Sequence, residues 1–507
     1  MNQVCIDGET LSIEDVVKIA RQKAKVMIPD SVKKKVEKSR RTLEELVEEN
    51  GVIYGVNTGF GALSDVRIEP RETKQMQVNL IRSHSTGIGK PLGTEVVRAL
   101  MLLRANTLAK GYSGIRFETI ETLVEMLNKG VHPVIPSKGS VGASGDLAPL
   151  SHMILVLMGE GIAEYQGIVL SGKEAMTRAK IKPVELEYKE GIALNNGTQL
   201  MTAIAALAIF DAETLLKTAE VAAALTLEAL VGVSDAFDAK IHALRPHKGQ
   251  AVAARNIKKT FAGSRLVQTG IKAMQNTQRP HDPYSLRCTP QVLGAARDAI
   301  AYARSVVQVE VNSATDNPLV FPEERVCLSG GNFHGQPISL AMDLLGMALA
   351  MTGNISERRI FRMLDDKLNN GLPIFLISPE AKKGVNSGLM TVQYTAAALA
   401  SENKILSHPA CVDSIPTSAN VEDFVSMGVT AAEKALQILE NTEYIIAIEL
   451  LCASQAVEFR GKEKLGKGTR RAYEAIRQTV PLVREDRVLS GDIEKLRQLV
   501  KNGAILG

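Results

Sequence analysis

Hydrophobic residues recur at helical spacing over most of the chain from about residue 111 onward. Six long segments carry apolar residues at i, i+3 and i+4, with middles rich in Ala, Leu and Met: 147–158, 199–230, 291–311, 338–351, 389–406 and 425–453. This spacing predicts α-helices. Several segments are apolar nearly all round, which is typical of helices buried inside a multi-helix bundle.

The first 110 residues follow a mixed pattern. Residues 4–6 predict a short strand, and Ser12 with Asp15 forms a capping box that opens a helix ending near residue 25. A second helical pattern spans 29–50, and three glycines within 54–61 predict a loop. We therefore expect a mainly α fold with a long central helix bundle (111–507) and a smaller mixed α/β part (1–110).

Composition and charge narrow the class of protein. The 507 residues are 45% hydrophobic and 23% charged, with a net charge of +4, which excludes disorder as the dominant state. Aromatic residues make up only 4%, and a core poor in aromatic side chains and rich in Ala and Leu is most easily helical. Positive charge concentrates in 458–501, but its signs are mixed, so we expect a salt-bridged surface and no nucleic-acid partner.

The sequence also bears on the cellular location of the protein. The N-terminus has neither a basic nor an apolar signal region, and the longest uncharged run, 191–210, contains Asn195, Asn196 and Gln199. A bilayer span needs about 20 apolar residues, so we expect no membrane segment. The five cysteines are widely spaced without a Cys-x-x-Cys motif, so we expect neither disulfides nor a metal site, and a reducing cytoplasm fits.

The glycine-rich segment 139–150 is the most unusual polar sequence. It reads Gly-Ser-Val-Gly-Ala-Ser-Gly-Asp-Leu-Ala-Pro-Leu, which lacks both the Gly-Lys-Ser/Thr of a phosphate loop and the Gly-x-Ser-x-Gly of a serine nucleophile. One interpretation is a plain turn with Asp146 as helix N-cap. Another is cyclisation: the Gly145 nitrogen attacks the Ala143 carbonyl, and loss of two waters, one from the Ser144 side chain, leaves an exocyclic methylidene electrophile.

This segment resembles the signature of the aromatic amino-acid ammonia-lyases, and the resemblance runs from Tyr54 to about Met427. It implies an autocatalytic 4-methylidene-imidazol-5-one (MIO) group made from Ala143, Ser144 and Gly145, with no external cofactor. It also implies a bundle of the fumarase/aspartase type and a homotetramer whose sites combine loops of three subunits.

Other loops match the same family. Tyr54 matches the catalytic tyrosine, the expected base at the substrate β-carbon, and Asn196 matches the asparagine beside MIO. Tyr284 matches a residue that supports MIO chemistry, and Arg287 matches the arginine that binds the substrate carboxylate, a task suited to its bidentate fork. Phe333 matches an aromatic residue lining the site. Two positions depart: Asn195 replaces an apolar residue and His281 a glutamine.

Two positions bear on the substrate. The Ser83-His84 pair resembles that of the histidine-specific members, and Glu422 matches the glutamate that meets the substrate imidazole. A carboxylate complements an imidazole N–H, whereas a phenyl ring would leave the buried charge unpaired. Phe424 departs from the histidine usual there.

The resemblance implies elimination of ammonia from L-histidine to give trans-urocanate, the first step of histidine degradation. Whether MIO captures the amine or the imidazole ring stays open. The alternatives are a tyrosine or phenylalanine ammonia-lyase, an aminomutase of the same family, and a non-catalytic helical oligomer that only binds ligands.

Overall fold

The computed structural model describes residues 3–49, 51–277 and 280–506. The chain is mainly helical, which confirms the predicted fold class. The α-helices are α1 (Ile13–Gln22), α2 (Asp30–Glu48), α3 (Thr73–His84), α4 (Thr94–Ala109), α5 (Phe117–Lys129), α6 (Leu147–Leu157), α7 (Gly172–Arg178), α8 (Glu190–Asn195), α9 (Gln199–Ala229), α10 (Ala239–Ala243), α11 (Lys248–Thr260), α12 (Gly270–Thr277), α13 (Tyr284–Arg287), α14 (Thr289–Glu310), α15 (Gln336–Leu364), α16 (Met390–Leu406), α17 (Gly428–Arg460), α18 (Lys467–Thr479) and α19 (Ser490–Lys501).

The strands are short. They are β1 (Gln3–Cys5), β2 (Lys25–Met27), β3 (Ile88–Pro91), β4 (Val131–Pro133), β5 (Pro136–Lys138), β6 (Ile162–Tyr165), β7 (Ile168–Ser171), β8 (Leu319–Phe321) and β9 (Val326–Leu328). β1 pairs with β2 in parallel, and β4, β6 and β7 form an antiparallel sheet. β3 with β5 and β8 with β9 are antiparallel pairs.

The N-terminal predictions agree closely with these elements. The capping box is present: the Ser12 hydroxyl accepts from the Asp15 amide, and the Asp15 carboxylate accepts from the Ser12 amide. α1 ends three residues earlier than predicted, because Lys23 adopts a left-handed conformation (φ 54°) that redirects the chain into β2. The predicted end of the next helix, Asn50, lies outside the described residues.

All six long predicted helices are present, and α15 extends thirteen residues beyond its predicted end. The apolar pattern stops where charged residues enter this helix. Arg359 is nevertheless fully buried, because its Nε and Nη2 atoms pair with the Glu449 carboxylate of α17 at 2.5 and 2.7 Å. A charged residue that is buried in an ion pair interrupts the apolar pattern, so hydrophobic periodicity alone underestimates the length of the helix.

The chain forms two compact units. The first comprises Met1–Phe210, Ala303–Asp343 and Pro409–Glu433, and the second comprises Asp211–Tyr302, Leu344–His408 and Lys434–Gly507. The expected boundary at residue 110 does not coincide with this division. Every strand of the described residues lies in the first unit, and β4 to β9 follow residue 110, so the mixed α/β part continues well past it.

Helix α4 lies in the core of the first unit, where it is buried at every position from Val96 to Ala109.

The C-terminal segment, in the second unit, carries the predicted salt bridges. Arg497 pairs with Glu443 and with Glu494, both at 3.0 Å.

Two helices, α9 and α15, are long and apolar enough to cross a bilayer by length and composition alone. Their most apolar windows are 83% and 72% buried within the structure, which is the pattern of core helices.

Candidate active site

A cavity of about 560 Å³ in the first unit collects most of the predicted site residues. An open depression of about 920 Å³ elsewhere in this unit contains none of them. Seven predicted residues line the smaller cavity: Tyr54, His84, Ala143, Ser144, Asn196, Phe333 and Glu422. They come from α3, from the ends of α6 and α8, and from loops up to 368 positions apart in sequence.

The loop 139–146 forms a tight bend that packs against neighbouring segments. Gly142 and Gly145 have φ values of +71° and +75°, a region that favours glycine. A Cβ on Gly145 would lie 2.1 Å from the Gly197 carbonyl oxygen, so no side chain fits there. The Asp146 amide donates to that same oxygen at 2.7 Å.

Ser144 is hydrogen-bonded through both its carbonyl oxygen and its hydroxyl. Its carbonyl oxygen accepts from the Asn196 side-chain amide at 2.9 Å and from the Gly197 amide at 3.3 Å. Its hydroxyl donates to the Glu422 carboxylate at 2.7 Å. The other Glu422 oxygen accepts from the Thr417 hydroxyl, also at 2.7 Å.

Asp146 is the N-cap residue of α6, as that interpretation predicts, but its side chain makes no capping hydrogen bond to this helix. Its carboxylate instead accepts from the Leu200 and Met201 amides at the start of α9, at 2.8 and 3.0 Å, and from the Ser140 hydroxyl at 2.8 Å. Burial raises the pKa of Asp146 to about 6, although these donors oppose the shift. The carboxylate thereby ties the glycine-rich loop to the first turn of α9, while the Asp146 backbone amide bonds to Gly197.

Tyr54 is half-buried, and its hydroxyl accepts from the Gly61 amide at 3.0 Å. Its ring packs edge-on against Phe60, with centroids 6.3 Å apart. The buried Gln77 side chain donates to the Gly55 carbonyl and thereby fixes the same loop to α3. These contacts hold the tyrosine at the cavity wall.

His84 ends α3, and its Nδ1 lies 3.0 Å from the Ser83 hydroxyl. Burial lowers the pKa of His84, while the Glu422 carboxylate acts in the opposite direction. The imidazole is therefore biased towards its neutral form.

The structure adds lining residues that sequence reasoning did not assign. His334 stacks on Phe424, with centroids 6.0 Å apart, and its Nε2 lies 3.2 Å from the Phe424 carbonyl. Asn195 is buried, and its Nδ2 donates to the Ser151 hydroxyl at 3.3 Å. The departures at Asn195 and Phe424 therefore both lie at the cavity. Adjacency to Phe333 was the only sequence signal for His334.

Tyr284 and Arg287 lie elsewhere, in the short helix α13 of the second unit, and do not line this cavity. Their side chains contact each other: the guanidinium carbon is 4.8 Å from the ring centroid. Tyr284 is 69% exposed. The neighbouring Asp282 accepts from the Val233 amide at 2.6 Å, and burial raises its pKa. Among the described residues, no group of three or more His, Cys, Asp or Glu is arranged to hold a metal ion.

Comparison with known proteins identifies the class. The family model described as aromatic amino acid lyase matches residues 11–478. Histidine ammonia-lyase of Alkaliphilus metalliredigens is 55% identical over 506 residues, covering 100% of this chain and 98% of that protein. Among solved structures, tyrosine aminomutase from Streptomyces globisporus has a TM-score of 0.95 and 38% identity, covering 99% and 98% of the two chains. Histidine ammonia-lyase from Trypanosoma cruzi has a TM-score of 0.91 and 38% identity, covering 99% and 94%.

The helical fold, the cavity and these similarities together define an enzyme, a lyase. The chain belongs to the aromatic amino acid lyase family, as the resemblance of its loops predicts.

Proposed function

We propose that the protein is a histidine ammonia-lyase that converts L-histidine to trans-urocanate and ammonia, as a soluble cytoplasmic enzyme. The observation that carries this proposal is the Glu422 carboxylate, bonded to the Ser144 hydroxyl in the cavity that also contains His84. Relatives at 50–55% identity over nearly the whole chain, named histidine ammonia-lyase, support it.

The residues at 143–145 fit formation of the MIO group. Ring closure joins the Gly145 nitrogen to the Ala143 carbonyl carbon. Among the described residues, neither the Gly145 amide nor the Ala143 carbonyl oxygen takes part in a hydrogen bond, whereas the Ser144 carbonyl has two donors. The bend at Gly145 and the absence of a Cβ there favour close approach of the reacting atoms. The group would supply a carbon electrophile for the substrate's amino group or imidazole ring.

Side chains of the cavity would carry out proton abstraction and substrate orientation. Tyr54 would accept the β-proton at its phenolic oxygen. The Gly61 amide donates to this oxygen and fixes its position at the cavity wall, as a positioned base requires. Glu422 and His84 would orient the substrate imidazole, and Phe333 would pack against it.

Substrate choice follows from the polar groups in the cavity. A histidine imidazole offers an N–H to the Glu422 oxygen that Ser144 bonds before dehydration, whereas a phenylalanine ring would leave that oxygen without a donor. Sites that hydrogen-bond a polar substrate group can reject analogues lacking it by about 10⁴-fold or more. We therefore expect a strong preference for histidine over phenylalanine.

The substrate carboxylate needs a cation, and we propose that Arg287 supplies it. Since Arg287 does not line the cavity of its own chain, a neighbouring subunit would provide it in a homotetramer, together with Tyr284. Light scattering is expected to give four times the chain mass of 54.7 kDa.

Parallel assays with histidine, tyrosine and phenylalanine test the proposed activity. Release of ammonia and urocanate absorbance with histidine alone is expected. Deamination of tyrosine or phenylalanine, or formation of a β-amino acid, would favour the other specificities of the family. No reaction with any of them would favour a non-catalytic binding protein.

Intact-protein mass tests the MIO group independently of activity. The mature chain should be about 36 Da lighter than its sequence, corresponding to two lost waters. Ser144→Ala should retain one of these waters and lose nearly all activity. An unmodified wild-type mass would eliminate the proposed chemistry.

A further inference from the structure

A fully buried arginine lies directly behind the Asn196–Gly197 turn. Arg104 of α4 has no exposed surface, and its Nη1 donates to the Asn196 carbonyl at 2.7 Å and to the Gln199 side chain at 2.9 Å. Its Nε and Nη2 have no hydrogen-bond partner within the described part of the chain. Burial of a partly unpaired cation opposes folding, which points to a role other than stability.

One peptide unit links this guanidinium to Ser144. The carbonyl of the Asn196–Gly197 peptide accepts from Arg104, and its N–H donates to the Ser144 carbonyl oxygen at 3.3 Å. The Asn196 side chain donates to that same oxygen at 2.9 Å. Hydrogen bonds arranged in a chain polarise one another, so a cation on the carbonyl side strengthens the N–H as a donor.

The packing of Gly197 keeps this peptide in place from both sides. Gly197 has a φ of +148°, and a Cβ there would lie 2.6 Å from Arg104 Nη1 and 2.5 Å from Gln199 Oε1. On the other side, its carbonyl oxygen would lie 2.1 Å from a Cβ on Gly145. Only glycines at both positions allow the guanidinium, the peptide and the Ser144 loop to stack this closely.

The guanidinium remains charged at neutral pH. Burial lowers the pKa of Arg104 only to about 10, and the Asp316 carboxylate opposes this shift. Asp316 itself is bonded to the Lys189 ammonium at 2.9 Å and to the Ser113 hydroxyl at 2.9 Å. Within the residues that the structure describes, no ion pair joins Arg104 to a carboxylate, so its charge acts on the Asn196 carbonyl.

We propose that Arg104 is a positioning residue for the dehydration of Ser144, an inference that rests on the proposed function. In that step the Ser144 Cα–H bond breaks, the proton passes to water, and negative charge develops on the Ser144 carbonyl oxygen. The Cβ–Oγ bond then breaks as the Cα=Cβ bond forms. The departing hydroxide takes up a proton, so one water is released and no oxidant or reductant is needed.

Arg104 acts on this charge through the Asn196–Gly197 peptide. The Asn196 amide and the Gly197 N–H form a pair of donors aimed at the oxygen where charge develops. Donors fixed in advance at such an oxygen typically accelerate the step by about 10²- to 10³-fold each. Arg104 holds the peptide in register and strengthens one of these donors.

Arg104→Met and Arg104→Lys test the role in the full-length oligomer. Arg98 provides the matched control: it is also a buried arginine of α4, bonded to the Ile19 and Leu127 carbonyls, and it does not contact the loop. Intact mass measures the fraction of each purified protein that has lost both waters, and thermal midpoints measure stability. Steady-state assays add kcat and KM for histidine.

We expect Arg104→Met to fold but to retain one or both waters in most molecules, with kcat about tenfold or more lower and KM little changed. Arg104→Lys should restore most of the dehydration. Arg98→Met should be destabilised yet fully dehydrated. Complete dehydration and wild-type kcat in Arg104→Met would overturn the proposal.

Folding failure is also informative. If Arg104→Met is insoluble, Arg104→Gln, which keeps an amide donor but removes the charge, takes its place with the same expectation. Failure of both neutral variants to fold, with a folded Lys variant, would assign Arg104 a purely structural role and overturn the proposal. The intact mass of the wild type separates the proposed function from the role of Arg104. An unmodified wild type would contradict the proposed function. A dehydrated wild type together with a dehydrated Arg104→Met variant would contradict only the role of Arg104.

Discussion

The hydroxyl of Ser144 donates a hydrogen bond to the carboxylate of Glu422 at 2.7 Å, across 278 positions of sequence. This contact joins the residue that is to become the electrophile to the residue proposed to choose the substrate. The carboxylate is held from its other side by the Thr417 hydroxyl, so its orientation is fixed before substrate enters. A carboxylate held in one orientation favours a substrate that places a hydrogen-bond donor against it and disfavours one that does not.

Glu422→Gln should lower kcat/KM for histidine by about 100-fold or more, because the imidazole loses a charged acceptor. The glutamine oxygen can still accept from Ser144, so the two-water mass loss should remain. Activity with histidine and phenylalanine is measured side by side, and the preference for histidine should shrink.

The control for this variant is Asp413→Asn. Asp413 is an exposed carboxylate of the same chain segment, 409–433, and lies outside the cavity. It should leave both kinetic constants unchanged. An unaltered histidine preference in Glu422→Gln would show that the carboxylate does not select the substrate.

Much of this site follows from local sequence. Helical periodicity predicts the long helices, and the positions of Tyr54, Ser144, Asn196 and Glu422 in unusual polar loops mark them as candidates. The structure brings these residues to one cavity. What the sequence could not provide is the partner of each group, since those partners are distant in the chain.

Asp146 and Arg104 show why the sequence does not predict the partners of buried charged residues. Asp146 precedes a helix, which predicts a cap for that helix, yet its carboxylate binds the amides of a helix that starts 53 residues later. Arg104 stands within an apolar helix with no local partner, and only tertiary packing brings it to Asn196. Charged residues that bond to backbone groups distant in the chain leave no periodic signature in the sequence.

Gly145→Ala should block maturation of the 143–145 segment. The new Cβ would meet the Gly197 carbonyl oxygen at 2.1 Å at a residue with φ +75°, so the loop must move away from its donors. The variant should be insoluble, or soluble with an unmodified mass. A soluble, fully dehydrated Gly145→Ala would contradict the fit of this loop to ring closure.

Gly167→Ala separates backbone strain from close packing. Gly167 has a similar φ of +79°, but a Cβ there would meet nothing within 4 Å. The substitution should therefore destabilise by only about 1 kcal/mol and leave the two-water mass loss complete. Equal effects of the two substitutions would mean that strain alone, and not contact with Gly197, controls maturation.

Stability should depend on pH through Asp146. Its pKa is raised by burial from 3.8 to about 6, so between about pH 4 and 6 the native state holds a proton that the unfolded chain has lost. This contribution to the free energy of unfolding is greatest below pH 4. It declines by about 3 kcal/mol as pH rises through 6.

Asp146→Asn removes this titration and keeps an oxygen for the Leu200 and Met201 amides. The thermal midpoint of wild type relative to Asp146→Asn should therefore fall between pH 4 and pH 7. The comparison cancels other titrating groups common to both proteins. A difference that stays constant with pH, or grows, would rule out a raised pKa at this carboxylate.

Mixed oligomers test whether one chain supplies Arg287 to a cavity of another. Tyr54→Phe removes the proposed base and Arg287→Ala removes the proposed carboxylate ligand, so each variant alone should be nearly inactive. If the two side chains serve a site from different subunits, coexpression places intact copies of both at some sites. Random mixing in a symmetric oligomer should restore about a quarter of wild-type activity.

The matched control combines Tyr54→Phe with Glu422→Gln. Both residues line the same cavity of one chain, so every cavity of the mixed oligomer carries one defect and no activity should return. Differently tagged chains purified in two steps ensure that only mixed species are assayed. Equally low activity in both mixtures would place Arg287 in the site of its own chain, because only a site shared between subunits lets complementary defects be separated.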